Sequence, residues 1–165
     1  MRSLLMIAVF ILFTTNSAMA TSYKPISIGK LSAMSELIVH GIVLSHDSRR
    51  NTERNFLYTF YQLEVLDVLK VGADVDLGNT IAVRFEGGSV GEISQISGGD
   101  ILLQDRDQVI LFLNAEDDFY VPTNFAQGVV PVVEGSLRPS ASIEGLDSVP
   151  LTVGKEVIRS LAQPK

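Results

Sequence analysis

The chain contains no cysteine. That excludes disulfides, a lipid-anchored cysteine, a thiolate nucleophile and cysteine-ligated zinc. It has only two histidines, His40 and His46. A Ser-His-Asp set would have to form around one of them, and no G-x-S-x-G marks a partner serine. There is no G-x-G-x-x-G leading into a helix and no G-K-[ST], so nucleotide phosphates have no cradle. No cofactor is expected. Internal repeats and low-complexity tracts are missing too. Long apolar runs are scarce: Leu4 to Phe13 is ten residues, half of the roughly 20 that a spanning helix needs.

That run lies in MRSLLMIAVFILFTTNSAMA, residues 1–20. Arg2 precedes it, polar Thr14 to Ser17 follow, and Ala18-Met19-Ala20 supplies an A-x-A site. Charge, apolar run and small-residue site together predict a secretory signal peptide cleaved after Ala20. Residues 21–165 are then one domain, 145 residues long, with enough core to fold unaided. The whole chain carries a net charge of −6, and loss of Arg2 leaves 12 basic against 19 acidic residues, or −7. Such a surface repels nucleic acid and anionic lipid, so neither is an expected partner, and no membrane insertion is expected after cleavage. An exported chain without disulfides points to a bacterial periplasm or culture medium.

Aromatic and β-branched residues dominate what remains, and they argue for strands. LIVHGIVLSHD (37–47) reads as the first, after a possible helical turn over LSAMSE (31–36). RRNTERN (49–55) reads as a charged loop. In NFLYTFYQLEVLDVLK (55–70), Leu57, Thr59, Tyr61, Leu63 and Val65 share one face at period two. The phase then breaks, which predicts a β-bulge near Leu66-Asp67, with a short helix over 63–70 as the rival. TIAVRFE (80–86) puts Ile81, Val83 and Phe85 on one face. DQVILFLN (107–114) does the same with Val109, Leu111 and Leu113. FYVPT (119–123) and GVVPVV (128–133) are further strands, demoted to edges or bulges by Pro122 and Pro131. At the end, Val153, Val157, Ile158 and Leu161 have helical spacing, with Thr152 as N-cap. The expected fold is mainly β: a small, bent antiparallel barrel closed by a C-terminal helix.

The glycine-rich stretch FEGGSVGEISQISGGD (85–100) is the first candidate site. One reading makes it a barrel corner, with Gly87 or Gly88 at positive φ. The other makes it a partner loop formed by Gly87, Gly88, Val90, Ile93, Gln95 and Ile96, flanked by Ile101 and Leu102, with the segment from Glu92 to Gly99 mobile. The histidines are six residues apart on one strand, which predicts the same face, exposed to solvent and about 20 Å apart. That is too far for one shared metal. DVDLGN (74–79) departs from a calcium loop at Gly78, and Glu116-Asp117-Asp118 reads as an acidic turn. Both are expected to be solvated turns, with weak calcium binding left open.

Five segments together carry a family resemblance: SELIVHGIV (35–43), YTFYQLEVLDVLKVG (58–72), TIAVRFEGGSVGE (80–92), DQVILFLN (107–114) and QGVVPV (127–132). In this order they resemble a group of uncharacterised exported bacterial proteins, over about 100 residues. Lys70-Val71-Gly72 departs from that group's Lys-Gly pair by one residue. The group is similar to netrin-module and tissue-metalloproteinase-inhibitor domains, which implies an OB-like five-stranded barrel with terminal helices. Those inhibitors chelate zinc through an amino-terminal cysteine, whereas the expected mature start here is Thr21-Ser22-Tyr23-Lys24. The resemblance assigns no functional residue. Three functions follow as expectations: a non-enzymatic exported binding module for an unknown exported protein; an inhibitor or partner of a secreted metalloprotease acting through a loop; or a hydrolase centred on His40 or His46.

Overall fold

The computed structural model describes residues 24–73, 77–96, 101–139 and 143–162. The predicted cleavage site, Asp74 to Asp76 of the calcium-like loop, and Ser97 to Asp100 of the glycine-rich stretch lie outside the described residues.

The chain enters through a two-residue strand, β1 (Ile26–Ser27), and a short helix, α1 (Ile28–Met34). The Ser27 hydroxyl accepts from the Lys30 amide and starts the helix. At its other end the Lys70 ammonium donates to the carbonyls of Ser32 (2.8 Å) and Ser35 (2.5 Å). A cation there satisfies orphan helix carbonyls and complements the helix dipole. Two long strands follow, β2 (Leu37–Asn51) and β3 (Phe56–Val71), paired antiparallel along their whole length. Strand β2 therefore runs to Asn51 and takes in the first three residues of the charged stretch read as a loop. The turn shrinks to residues 52–55, with Asn55 at positive φ.

After β4 (Thr80–Glu86) comes a small hairpin of β5 (Gly88–Val90) and β6 (Ile93–Gln95). Then come β7 (Gln108–Glu116) and β8 (Phe119–Pro122), joined by the acidic turn. A 3-10 turn (Phe125–Gly128) leads into β9 (Val129–Val133), β10 (Ser136–Leu137) and β11 (Ile143–Glu144). The last element is helix α2 (Leu151–Ala162).

The seven-stranded sheet has the order β10-β9-β7-β2-β3-β4-β8, and β8 pairs back onto β7. Five strands thus form a curled ring: β7, β2, β3, β4 and β8. The fold is mainly β with a C-terminal helix, as the alternation implied. Leu63, Tyr61, Val83 and Leu111 are buried together inside the ring, with Val65 half-buried against them. A second cluster lies on the other face, under the helices, with Ile38, Leu69, Ile110, Phe112, Leu137 and Ile158 among its members. Strands β2 and β7 are covered on both faces, which is why they read as near-continuous apolar runs.

The bulge expected near Leu66-Asp67 is present. His40 pairs with Asp67 and Gly41 with Val65, so Leu66 is skipped. It turns Asp67 and Leu69 toward the helices while Leu63 and Val65 stay inside. The rival helix is not formed. A bulge on the opposite strand was not anticipated: Val43 pairs with Leu63 and Ser45 with Gln62, skipping Leu44. There the loop after Leu103 takes over the pairing. The Arg106 amide donates to the Val43 carbonyl (2.7 Å), and the Val43 amide to the Asp107 carbonyl (3.0 Å).

The bulge at Leu44 corrects the reading of the histidines, because it places them on opposite faces. His40 is buried on the helix side, its Nε2 3.2 Å from Gln108 Oε1. His46 stays exposed and stacks on Tyr61, with Nδ1 3.0 Å from Asp105 Oδ1. The C-terminal helix also sits differently from its reading. It begins at Leu151, so Thr152 is inside it and is not the cap. Gly154 and Ile158 face the core, while Val153, Val157 and Leu161 are exposed. The helix is pressed onto Leu137: a Cβ at Gly154 would lie 2.3 Å from that side chain. Asp67 fixes the rotation by bonding both Lys155 and Arg159.

Candidate functional site

The ring is not evenly closed. β4 and β8 meet through a single parallel pair, Val83 with Tyr120. Beyond that pair the two strands diverge, and a cleft of about 310 Å³ occupies the gap. Alternation along β4 puts Phe85 on the inner face and Arg84 and Glu86 on the outer one. The cleft accordingly runs from an apolar inner end, lined by Tyr61, Phe85, Ile101 and Val129, to a charged mouth at Arg84, Glu86 and Glu116. Its volume is at the lower end of ligand pockets.

The glycine corner forms one wall. Gly87 and Gly88 both have positive φ, 89° and 134°. The Gly87 amide donates to the Leu57 carbonyl (2.8 Å), and its carbonyl accepts from Thr59 Oγ1 (2.9 Å). Ser48 Oγ lies 2.8 Å from Thr59 Oγ1. Gly88 packs directly on this hydroxyl pair. A Cβ there would lie 2.3 Å from Thr59 Oγ1 and 2.7 Å from Ser48 Oγ. The corner reading is therefore correct for these two residues, and the same two line the cleft.

The described remainder of the candidate loop forms a short hairpin, and Ser97 to Gly99 of the segment expected to be mobile lie outside the described residues. Val90 pairs with Ile93 across the β5–β6 hairpin, and the hydroxyls of Ser89 and Ser94 are 2.7 Å apart. Gln95 plays a structural part, since its Oε1 accepts from the Leu57 amide (2.8 Å) and ties the hairpin to β3. Val90, Ile93 and Ile96 are exposed, Ile96 to 80%. None of these four lines the cleft. Of the flanking residues, Ile101 packs against the inner core while Leu102 is 70% exposed and lines the cleft.

Another wall comes from the turn before β9. Asn124 and Phe125 are consecutive residues at positive φ, 55° and 56°. For a bulky aromatic this is a true backbone outlier. Phe125 is nevertheless 55% exposed, so burial gives back only part of that cost. The surrounding turn imposes the conformation. The Thr123 amide donates to the Phe112 carbonyl (2.8 Å), and the Asn124 side chain bonds that of Gln127. Gln127 is buried and donates to the Lys24 carbonyl (3.0 Å). Gly128 completes the turn by close approach, since a Cβ there would lie 2.5 Å from the Thr123 carbonyl oxygen.

At the mouth, the Arg84 guanidinium donates to Glu116 Oε1 (2.6 Å) and lies 4.9 Å from the centroid of the Tyr58 ring. Within the floor, burial pushes the Tyr61 phenol up from its ordinary value. Neither histidine lines the cleft. Burial, and then the charge of Lys155, push His40 below its ordinary value, against the opposing pull of Gln108 and Asp67. For Asp67 burial works against the charge, but hydrogen bonds from Lys155 and Arg159 outweigh it and hold the carboxyl low. Among the described residues no group of three or more histidine, aspartate or glutamate side chains is placed to hold a metal ion. No helix of the described residues is long and apolar enough to cross a membrane.

Sequence reasoning found Gly87, Gly88, Ile101 and Leu102 but missed Arg84, Glu116, Asn124 and Phe125. Asn-Phe at 124–125 carries a weak signal, because asparagine tolerates positive φ and Gly128 follows closely. Nothing local marks Arg84 or Glu116, which meet only through the ring. In comparisons with known proteins, no family model and no curated protein matches the chain.

Proposed function

We propose that this protein is an exported, non-enzymatic binding module. Its contact surface is the open seam between β4 and β8, with Leu102 and Phe125 as apolar contacts. One observation carries the reading: Phe125 is held at a costly backbone conformation and left exposed at a cleft. Strain kept at a largely exposed aromatic serves little packing purpose, and such strain concentrates at functional sites. The Leu102 side chain, exposed between inward-facing Ile101 and Leu103, supports it. The position of both histidines away from the cleft weighs against a hydrolase reading of this surface.

The test uses Phe125→Gly together with Leu102→Ser. Glycine relieves the positive φ but gives up the covered part of the side chain, so Phe125→Gly alone should change stability by less than about 1 kcal/mol. The double variant should remain folded and lose the partners that the wild-type protein captures from cell envelope and culture medium. Identical captured proteins for wild type and double variant would sink the reading.

A further inference from the structure

Helix α2 covers a small charged cluster as well as the helix-side core. His40 of β2 and Asp67 of β3 are paired across the sheet, so both side chains stand on the face that α2 covers. From the helix, Arg159 bonds Asp67 at 2.6 Å, and Lys155 bonds it too. His40 is 6% exposed, and from β7 Gln108 Oε1 bonds its Nε2. Lys155 and Asp67 are the charges that act on the ring. Glu156, the remaining charged residue of α2, is exposed, and Lys70 of β3 is turned to the α1 carbonyls.

With His40 neutral, one carboxylate and two cations leave this cluster at +1. A proton on His40 raises it to +2, in a site short of water and within reach of Lys155. Asp67 does not absorb the proton instead, because its two hydrogen-bonded cations hold the carboxyl low. Lifting α2 relieves both penalties at once, since water reaches the imidazole and Lys155 leaves it. The lifted state therefore binds the proton more tightly than the docked one. Few buried side chains hold α2 down. Its buried residues are Gly154 and Ile158. Among the described residues, none of the ring-core cluster comes from α2, so that core is complete without the helix.

We propose that α2 is an acid-released latch: protonation of His40 favours a state in which the helix has left the sheet while the ring stays folded. The opening takes up one proton, so below the ordinary imidazole value of 6.5 its population rises by up to about tenfold per pH unit. Above that value His40 is neutral in both states, and the opening is independent of its titration.

Amide exchange of the exported protein, followed residue by residue between about pH 5 and 8 and corrected for intrinsic rates, reads the latch. Amides from Lys155 to Arg159 should exchange through an opening with little urea dependence, well before those of Leu63 and Val83. That opening should grow by up to about tenfold per pH unit as the pH falls below 6.5. His40→Gln should flatten the profile, and His46→Gln should leave it unchanged. Lys155→Met keeps the imidazole but removes the cation acting on it, so its profile should be shallower than that of the wild type. A wild-type slope in either His40→Gln or Lys155→Met would overturn the latch, as would a wild-type α2 profile independent of pH. Equal protection and equal urea dependence for α2 and Leu63 would mean that the helix leaves only when the whole fold opens, and would refute it too.

Discussion

Gly88→Ala tests the corner of the ring on two grounds at once. Gly88 has φ near 134°, where an L-residue pays roughly 1–2 kcal/mol. The second ground is contact. A new Cβ would sit 2.3 Å from Thr59 Oγ1 and 2.7 Å from Ser48 Oγ. Thr59 is buried and cannot move away without releasing its hydrogen bond to the Gly87 carbonyl. A buried hydrogen bond lost this way costs about 1 kcal/mol, or more if the carbonyl stays unsatisfied. The two effects sum to about 2–4 kcal/mol, a large share of a domain's stability. Gly91→Ala is the control, because Gly91 also has positive φ, 61°, but nothing lies within 4 Å of its Cβ position. It should show the backbone cost alone, about 1 kcal/mol. Urea denaturation with unchanged m-values measures both. A double variant, Gly88→Ala with Thr59→Ala, removes the nearest clash, so its cost should fall short of the sum of the single changes. If Gly88→Ala costs no more than Gly91→Ala, the contact argument is wrong. If the double variant is additive, Thr59 is not what Gly88 accommodates.

Leu63→Ala should cost about 2–5 kcal/mol, since Leu63 is fully buried in the ring; a loss under about 0.5 kcal/mol would put the β3 register in error. For His40 the folded-state value lies below the ordinary 6.5, so under that pH the unfolded chain takes up the proton more readily. Stability should therefore rise with pH from the depressed value up to about 6.5 and be flat above it. His40→Gln should remove that slope, and parallel profiles for the two proteins would refute the burial argument. Asp67→Ala frees both Lys155 and Arg159 and should cost about 1–3 kcal/mol, with faster amide exchange in α2 than elsewhere; uniform exchange would show that α2 is held by packing alone. Mass spectrometry of exported protein should give a chain starting at Thr21, and retention of Leu4 to Phe13 would refute the cleavage reading.

Much of the sheet was legible because each strand carries its own evidence. Ile81, Val83 and Phe85 alternate within seven residues, and the broken phase after Val65 announces a bulge without help from elsewhere. The bulge at Leu44 gives no such notice. It depends on a loop some sixty residues later, where Arg106 and Asp107 bond Val43. With that bulge hidden, the relation between His40 and His46 came out wrong. The rotation of α2 failed for a similar reason. Apolar spacing favoured a stripe of Val153, Val157, Ile158 and Leu161, of which only Ile158 is buried, because the absent side chain of Gly154 and the bond to Asp67 decided which side faces Leu137. The site was half legible. Glycine marks places where chains approach, so Gly87 and Gly88 stood out, while the positive φ of Phe125 is only weakly announced by the asparagine before it.

The contact between β1 and β11 bears on the order in which the fold is completed. Ile26 pairs in parallel with Ile143, and α1 shares its core with Ile158 of α2. The first described elements thus find their partners among the last ones made. While the chain is being synthesised, Ile28 and Leu31 can meet Ile38, Leu69 and Ile110, but their cluster lacks Ile158 until α2 has emerged. The β2–β3 hairpin can form early, since its contacts are local, but the helix-side cluster must wait. Loop closure over so long a span is slow. The helix-side cluster is therefore completed only after α2 is made, and the pairing of β1 with β11 is among the late steps of folding.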